Sequence, residues 1–418
     1  MREFFRMLKT GIIFLLLGAT CHELNAQDAD IGVAMPVTIT GQFLQTERPR
    51  KEEPESSTLS GAFRAVLYPS LKLGSHWFVY SAFQVSSTPY FYHDAYEPEH
   101  DVETQTLQAF VGYTHTTEKL AFTWKTGHLP SAFGSFPLRY DDTANPLLDL
   151  PLSNGSYLKI RPDQLPCGVK EFYYNDDYPQ DVDFHCGGND AESYGMAPAT
   201  LYGLPGTEID FSFKHVDARF QLTNSSPANP QSLLSSNQHV QWTAGSGYTI
   251  RQGFRVGFSA FRGPYLDKSV RPWLPVGLDV SNFPATGVGA DVQWARGRWN
   301  VFGEWQRFQF NYPLFTTSPV ATYGYVETKA IISPRFYGAM RIGYENHNHV
   351  ADQTRQGHSP FLPNRQCYEF AIGYRLNRMQ LLKVGYEWLK TQGESGTRDN
   401  VFGVQLVTSI YSLSKALK

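Results

Sequence analysis

Between Val240 and Ile250, and again from Phe254 to Ala260, the chain alternates between two kinds of side chain. The even positions are Val240, Trp242, Ala244, Ser246, Tyr248, Ile250, Phe254, Val256, Phe258 and Ala260. The odd positions are Gln241, Thr243, Gly245, Gly247, Thr249, Arg251, Arg255, Gly257 and Ser259. Successive side chains of a strand point to opposite faces, so one face is mostly oily and the other polar or small. The pattern recurs down the chain. The second face is too wet and too rich in glycine to be covered by another layer. These features predict a barrel whose oily face meets lipid and whose polar face lines water.

The alternation marks about sixteen strands. They are Val33–Thr46, Thr58–Tyr68, Ser75–Ser87, Glu103–His115, Lys119–Gly127, Ala199–Phe213, Ala218–Asn224 and Gln238–Ile250, then Gly253–Arg262, Ala285–Ala295, Arg298–Tyr312, Val320–Ile332, Phe336–Asn346, Arg365–Arg375, Arg378–Lys390 and Asn400–Tyr411. Pro205-Gly206 interrupts the sixth, which leaves either one bulged strand or two short ones. Tight connections such as Pro69–Gly74, Arg251-Gln252 and Leu376-Asn377 alternate with long ones. An up-and-down transmembrane barrel has this rhythm, with periplasmic turns and external loops. A soluble β-sandwich also alternates, but its strands cluster near 5–6 residues, and most of these reach ten or more. Trp77, Tyr113, Trp124, Trp294, Trp299, Trp305, Tyr344, Tyr374, Tyr386 and Trp388 gather near strand ends, as interfacial girdles require.

The N-terminus predicts a removable targeting segment over residues 1–26. Arg2, Arg6 and Lys9 precede the apolar run Ile12–Leu17, and Leu24-Asn25-Ala26 offers small-residue cleavage before Gln27. Cys21 fits a lipobox poorly. No later stretch has the ~18 consecutive apolar residues of a spanning helix. Mean hydropathy is −0.35, too polar for a helical membrane protein but ordinary for a barrel, where only every second strand residue need be oily. A net charge of −3 argues against nucleic-acid binding. Cys167 and Cys186 share one long connection and could close a local disulfide; Cys367 is left over near the start of a strand.

That connection, His128–Pro198, is far longer than a structureless loop in a compact domain. It opens Leu129-Pro130-Ser131-Ala132-Phe133-Gly134 and continues through Arg139-Tyr140-Asp141-Asp142 to Asn145-Pro146-Leu147-Leu148-Asp149. In this topology the chain resembles the outer-membrane porins of Gram-negative bacteria. Pro130…Phe133-Gly134 faintly echoes that family's acidic-Phe-Gly-Gly segment. Lys418 departs from its final aromatic residue, although Phe402, Val404, Leu406 and Ile410 keep the last strand oily. The resemblance implies a sixteen-stranded barrel, an external third loop (here residues 128–198) folded inward to narrow the pore, and a homotrimer.

Inside the connection Arg139, Lys159, Arg161 and Lys170 stand against eleven carboxylates: Asp141, Asp142, Asp149, Asp163, Glu171, Asp176, Asp177, Asp181, Asp183, Asp190 and Glu192. The expected constriction comprises Arg139, Asp141, Asp142, Lys159 and Arg161; the Asp-rich remainder reads equally well as a solvated external flap. No twelve-residue calcium loop surrounds Asp176–Asp183, and no metal site or cofactor is expected. Alternation places Arg64, Lys125, Arg219, Arg251, Arg255, Lys329, Arg341, Arg375 and Lys383 on the inner wall with Asp291, Glu304, Glu327, Glu345, Glu369 and Glu387. Arg or Lys at mid-bilayer on the lipid face would cost about 2–4 kcal/mol each. Opposed charges would set a transverse field across the pore, unless they pair across strands, as roughly half should on base rates for such pairs.

No Gly-x-Ser-x-Gly elbow, His-Glu-x-x-His or paired-cysteine zinc spacing appears, and His347 and His349 flank Asn348 as ordinary loop polarity. No catalytic residue is expected. The chain is therefore expected to be a passive outer-membrane channel for small hydrophilic solutes or ions, with lipid and copies of itself as partners. The alternatives are an outer-membrane lipid hydrolase, or a transporter of hydrophobic substrates. A transporter's N-terminal plug would need more chain than Gln27–Gly32. Arg341→Glu is expected to move selectivity toward cations if residue 341 lines the pore.

Overall fold

A computed structural model describes residues 31–46, 58–87, 102–172, 195–224, 226–231, 238–313, 315–352, 361–392 and 400–411. Sixteen antiparallel strands close into one barrel. The first strand, β1, runs in two pieces, Ile31–Ala34 and Val37–Thr46; β2 likewise runs Leu59–Leu67 and Ser70–Leu73. Then come β3 (Trp77–Ser87), β4 (Val102–Thr116), β5 (Leu120–Leu129), β6 (Leu204–Phe213), β7 (Val216–Asn224) and β8 (Val240–Arg251). The second half holds β9 (Phe254–Pro264), β10 (Pro284–Arg296), β11 (Trp299–Phe310), β12 (Val320–Ser333), β13 (Phe336–His347), β14 (Arg365–Arg375), β15 (Gln380–Thr391) and β16 (Val401–Ile410). Each strand pairs with its chain neighbours, and β16 returns to β1 from Val37↔Ile410 to Thr46↔Val401. Closure leaves no sheet edge, so the ladder pairs its backbone groups internally, as the hydrocarbon layer demands.

The faces follow the alternation. On β8 and β9, Val240 is 67% exposed and Phe258 65%, whereas Gln241 and Thr243 are fully buried toward the interior. An oily belt on the outside of a closed barrel is the surface of a protein that sits in a bilayer. Trp77, Tyr113 and Trp124 stack edge-on across β3–β5, 5.1 and 6.3 Å between ring centres, next to the short-turn end. No helix among the described residues is long and apolar enough to cross a membrane.

Two prolines modify the expected boundaries. Pro36 and Pro69 lack the N–H that a ladder needs, and β1 and β2 break at them side by side, with Tyr68 N donating to Pro36 O at 2.9 Å. Beyond the break, Ile31–Ala34 pairs with Ser70–Leu73. Pro69–Gly74 is thus strand rather than turn for four of its residues. The sixth strand is a single one that starts at Leu204, not Ala199. Pro205 faces His128 of β5, while the β7 ladder begins only at Gly206↔Thr223. The proline therefore sits where a second ladder bond is not required.

The interior is not uniformly wet. In the long-loop half, inward aromatic side chains meet the segment that follows β5 and form a dry core. Phe133 lies edge-on to Phe261 at 5.0 Å and tilted to Phe308 at 5.4 Å, and Phe308 meets Tyr323 at 5.8 Å. Leu158, Ile160, Tyr265, Phe310 and Phe361 complete it. Gly287 makes room, because a Cβ there would stand 2.2 Å from the Phe261 ring. Phe133→Ala should cost about 3–5 kcal/mol, read as a lower unfolding temperature in detergent.

Candidate functional site: the inward segment after β5

The chain leaves β5 at Leu129, and residues 130–172 turn into the barrel. The first clasp is backbone to wall. Arg219 of β7 donates to Ala132 O (2.9 Å) and Gly134 O (2.7 Å), and Gln221 donates to Pro130 O (2.8 Å). Gly134 N donates to the Ser259 hydroxyl of β9, and Ser135 N to Glu304 of β11 at 2.8 Å. Gly134 has φ +75°, and a Cβ there would lie 2.4 Å from Glu304 Oε1. Both the left-handed backbone and the close approach demand glycine. Gly134→Ala should cost more than the ~1 kcal/mol of a simple left-handed alanine, detectable as faster protease cleavage after Arg139.

Next the chain crosses the lumen. Arg139 bonds Glu327 (3.1 Å) and the Tyr325 hydroxyl (3.0 Å) on β12, with its guanidinium 4.2 Å from the Phe302 ring centre. Three residues later, Asp142 accepts from Thr40 of β1 at 2.7 Å and forms a two-point pair with Arg64 of β2. Those three steps span at most about 11 Å, whereas six strand spacings along the wall are about 29 Å. The segment therefore runs within the lumen, held to the wall from β12 round to β2. Burial alone would raise the Asp142 pKa, but Arg64, Lys383 and the Thr40 hydroxyl hold it below 3.8.

The third clasp fixes residues 145–150. Arg341 of β13 pairs with Glu327 (2.8 Å) and Glu369 (2.5 Å), and donates to Asp149 O (3.1 Å) and Asn145 Oδ1 (3.3 Å). Lys383 of β15 is 0% exposed and donates to Asp142 O, Leu147 O and Gln405 Oε1 at 2.7–3.2 Å. The Leu148 side chain packs over Gly385 and Gly403. Further on, Ser156 donates to Glu345, which also binds Tyr323, His347 and Arg365. Ser156 and His347 meet the same carboxylate from two sides, so the imidazole is not turned to the serine. His349 lies apart, in the loop.

The other expected site residues are placed as follows. Asp141 faces the short-turn end, bonded by Thr143 N (2.7 Å) and the Tyr68 hydroxyl (3.1 Å). Lys159 and Arg161 are buried in the segment's own packing, where Arg161 pairs with Asp163 at 2.9 Å. They sit in the dry half and not where the chain crosses the lumen. Cys167 is disulfide-bonded; Cys186 lies outside the described residues, as do Asp176–Asp183, Asp190 and Glu192. Cys367 is buried on the inner face of β14. Among the described residues no cluster of three or more His, Cys, Asp or Glu side chains could hold a metal ion.

On the wall, charges pair locally. Arg255 bridges Asp217 (2.6 Å) and Asp291 (2.8 Å); Lys125 bridges Glu208 (2.8 Å) and Asp210 (2.5 Å); Arg365 meets Glu345. Gly247 and Gly257 let the Arg255–Asp291 pair lie flat, since a Cβ at either would come within 2.2 Å of it. Arg64, Glu304, Glu327, Arg341, Glu345, Glu369, Lys383 and Glu387 point inward but are buried beneath the crossing segment. Arg219, Lys329 and Arg375 belong to the more open short-turn half. Arg251 ends β8 at its turn and is exposed, away from the charged belt. Sequence reasoning missed Glu208, Asp210 and Asp217. The first two share the inner face of β6 and were legible from alternation; Asp217 was lost because the seventh strand was begun at Ala218 rather than Val216.

No protein-family model and no curated protein matches the sequence. Solved structures do match its shape. The chain superposes on OmpT, an outer membrane protein of Vibrio cholerae (8% identity, 93% of this chain and 100% of that one, TM-score 0.54). It is similar to the outer membrane channel DcaP of Acinetobacter baumannii (11%, 92% and 99%, TM-score 0.52) and to an anion-selective porin from Comamonas acidovorans (8%, 92% and 100%, TM-score 0.50). At such low identity the likeness speaks for the architecture alone: this chain has the fold of the outer-membrane porins.

Proposed function

We propose that the protein is an outer-membrane channel for small hydrophilic solutes or ions, in which residues 130–172 of the connection 128–198 form the constriction. The stretch from Arg139 to Asp149 carries this reading, because it fills part of the lumen and is bonded there to β12, β13, β15, β1 and β2. No chemical step is assigned. Passage is governed by the width beside the crossing and by charge near it. The disulfide of Cys167, with Cys186 as partner, stiffens the external part of the segment. Assembly as a homotrimer in the outer-membrane bilayer fits the oily exterior, and residues 1–26 act as the exported chain's signal.

Purified protein in planar lipid bilayers should give stepped, lasting conductance. Phospholipid hydrolysis without steps would overturn the channel in favour of a lipid hydrolase. Edman sequencing of the membrane-inserted protein should start at Gln27; a start at Met1 would remove the signal assignment.

A further inference from the structure

We infer that the chamber at the short-turn end of the barrel is a subsite for small zwitterions, amino acids and short peptides. Asp141 meets the ammonium group, and Arg375 and Arg378 meet the carboxylate. This names a solute class for the proposed channel and rests on that reading for its role, though not for its measurement. The chamber holds about 450 Å³ between the inward segment and the β14–β15 turn. The charged residues lining it are Asp141, Arg375 and Arg378, with Tyr68 and Tyr80 beside them.

These charges are arranged unlike those elsewhere on the inner wall. Where opposite charges gather there they meet directly, as in Lys125–Glu208, Arg255–Asp291 and Arg341–Glu369. Asp142, next in the chain, is taken by Arg64. Asp141 has no ion pair with any described residue. Neither Arg375 nor Arg378 has a side-chain hydrogen bond or ion pair with one. The chamber thus presents a carboxylate and two guanidinium groups that no direct contact joins.

Asp141 is held in place without being saturated. Thr143 donates to its Oδ1 from the backbone N–H (2.7 Å) and from the hydroxyl, and the Tyr68 hydroxyl donates to its Oδ2 at 3.1 Å. A carboxylate offers about four acceptor positions, so Oδ2 keeps room for an ammonium. On the other side Arg375 ends β14 and Arg378 lies on the turn that follows. A guanidinium takes a carboxylate at two points through charge-assisted hydrogen bonds. A simple anion would gain the arginines but meet Asp141 as a like charge. A simple cation would gain Asp141 and be repelled by the arginines. A solute that carries both charges satisfies both sides at once.

Calorimetric titration of the detergent-solubilised protein tests this with solutes of similar size. Glycylglycine, which carries both charges, should bind saturably. N-acetylglycine, with the carboxylate alone, should bind severalfold more weakly, and the uncharged N-acetylglycinamide should not bind. Asp141→Asn should erase the preference for glycylglycine over N-acetylglycine, whereas Arg375→Gln/Arg378→Gln should abolish binding of both. Equal binding of those two solutes by the wild type, or wild-type affinities in both variants, would overturn the zwitterion subsite. Stepped conductance without glycylglycine binding would overturn the subsite and leave the channel standing. The expected ranking in a protein that gives no steps would support the subsite and overturn the channel. Asp141→Asn keeps an oxygen for Thr143, and neither arginine side chain bonds a described residue. Both variants should therefore fold, as heat-modifiable gel migration would verify, and the wild-type ranking is a test that needs neither.

Discussion

Arg341→Ala should destabilise the barrel by about 3–5 kcal/mol, the usual cost of removing one partner from a buried ion pair. Arg341 is 2% exposed and stands between Glu327, which would keep only Arg139, and Glu369, which would lose its cation. It also supplies bonds to Asn145 and Asp149, so the same change should free residues 145–150 from the wall. Protease cleavage within the inward segment should rise along with the loss of thermal stability. Arg341→Met, of similar volume, should recover little, because the stranded carboxylates and not the lost volume carry the cost. The location also changes what Arg341→Glu would do. Were residue 341 on an open wall, charge reversal would tune selectivity; beneath the segment, it adds a third buried carboxylate and should unseat the clasp. An Arg341→Ala protein with unaltered melting and cleavage would refute the clasp.

Asp142→Ala should have a comparable effect, again about 3–5 kcal/mol, at the β1–β2 end of the segment's attachment. It takes the carboxylate from Arg64 and removes the Thr40 contact. With Arg139 and the Lys383 bonds to backbone carbonyls left to hold the segment, single-channel conductance should rise and its open level should become noisy. Asp142→Asn keeps the shape and one acceptor, and should fall between the two. Because the folded pKa of Asp142 lies below 3.8, its ionised form is favoured by folding. Its contribution is complete at neutral pH and is lost only as pH falls through that depressed value. Wild-type conductance should accordingly stay constant through the ordinary carboxylate range and rise only below it, and Asp142→Ala should lack that rise.

The architecture was legible because a two-residue period is a local property. Val240, Trp242 and Phe258 had to share one face, and Gln241 and Thr243 the other, whatever lay across the sheet. The sixteen segments and their order came from the same signal. Boundaries failed where a proline or an aspartate at a strand end could be read either way, as at Pro69, Pro205 and Asp217. The inward character of Arg64, Lys383 and Glu369 was equally accessible, because a charge on the lipid face is costly.

What alternation could not supply was the third dimension inside the cylinder. It says that a side chain faces inward, not whether water or protein waits there. Asp142 reaches Arg64 across 78 residues of chain and Lys383 across 241, and no local pattern encodes such distances. By itself the sequence determined the closed barrel, its oily exterior and the unusual length of the segment after β5, since each follows from period, sign of charge or chain length. Only the tertiary structure decided that this segment is held inside the lumen and that its apolar residues dry one half of the interior. Those outcomes depend on which strands stand opposite one another once the sheet has closed.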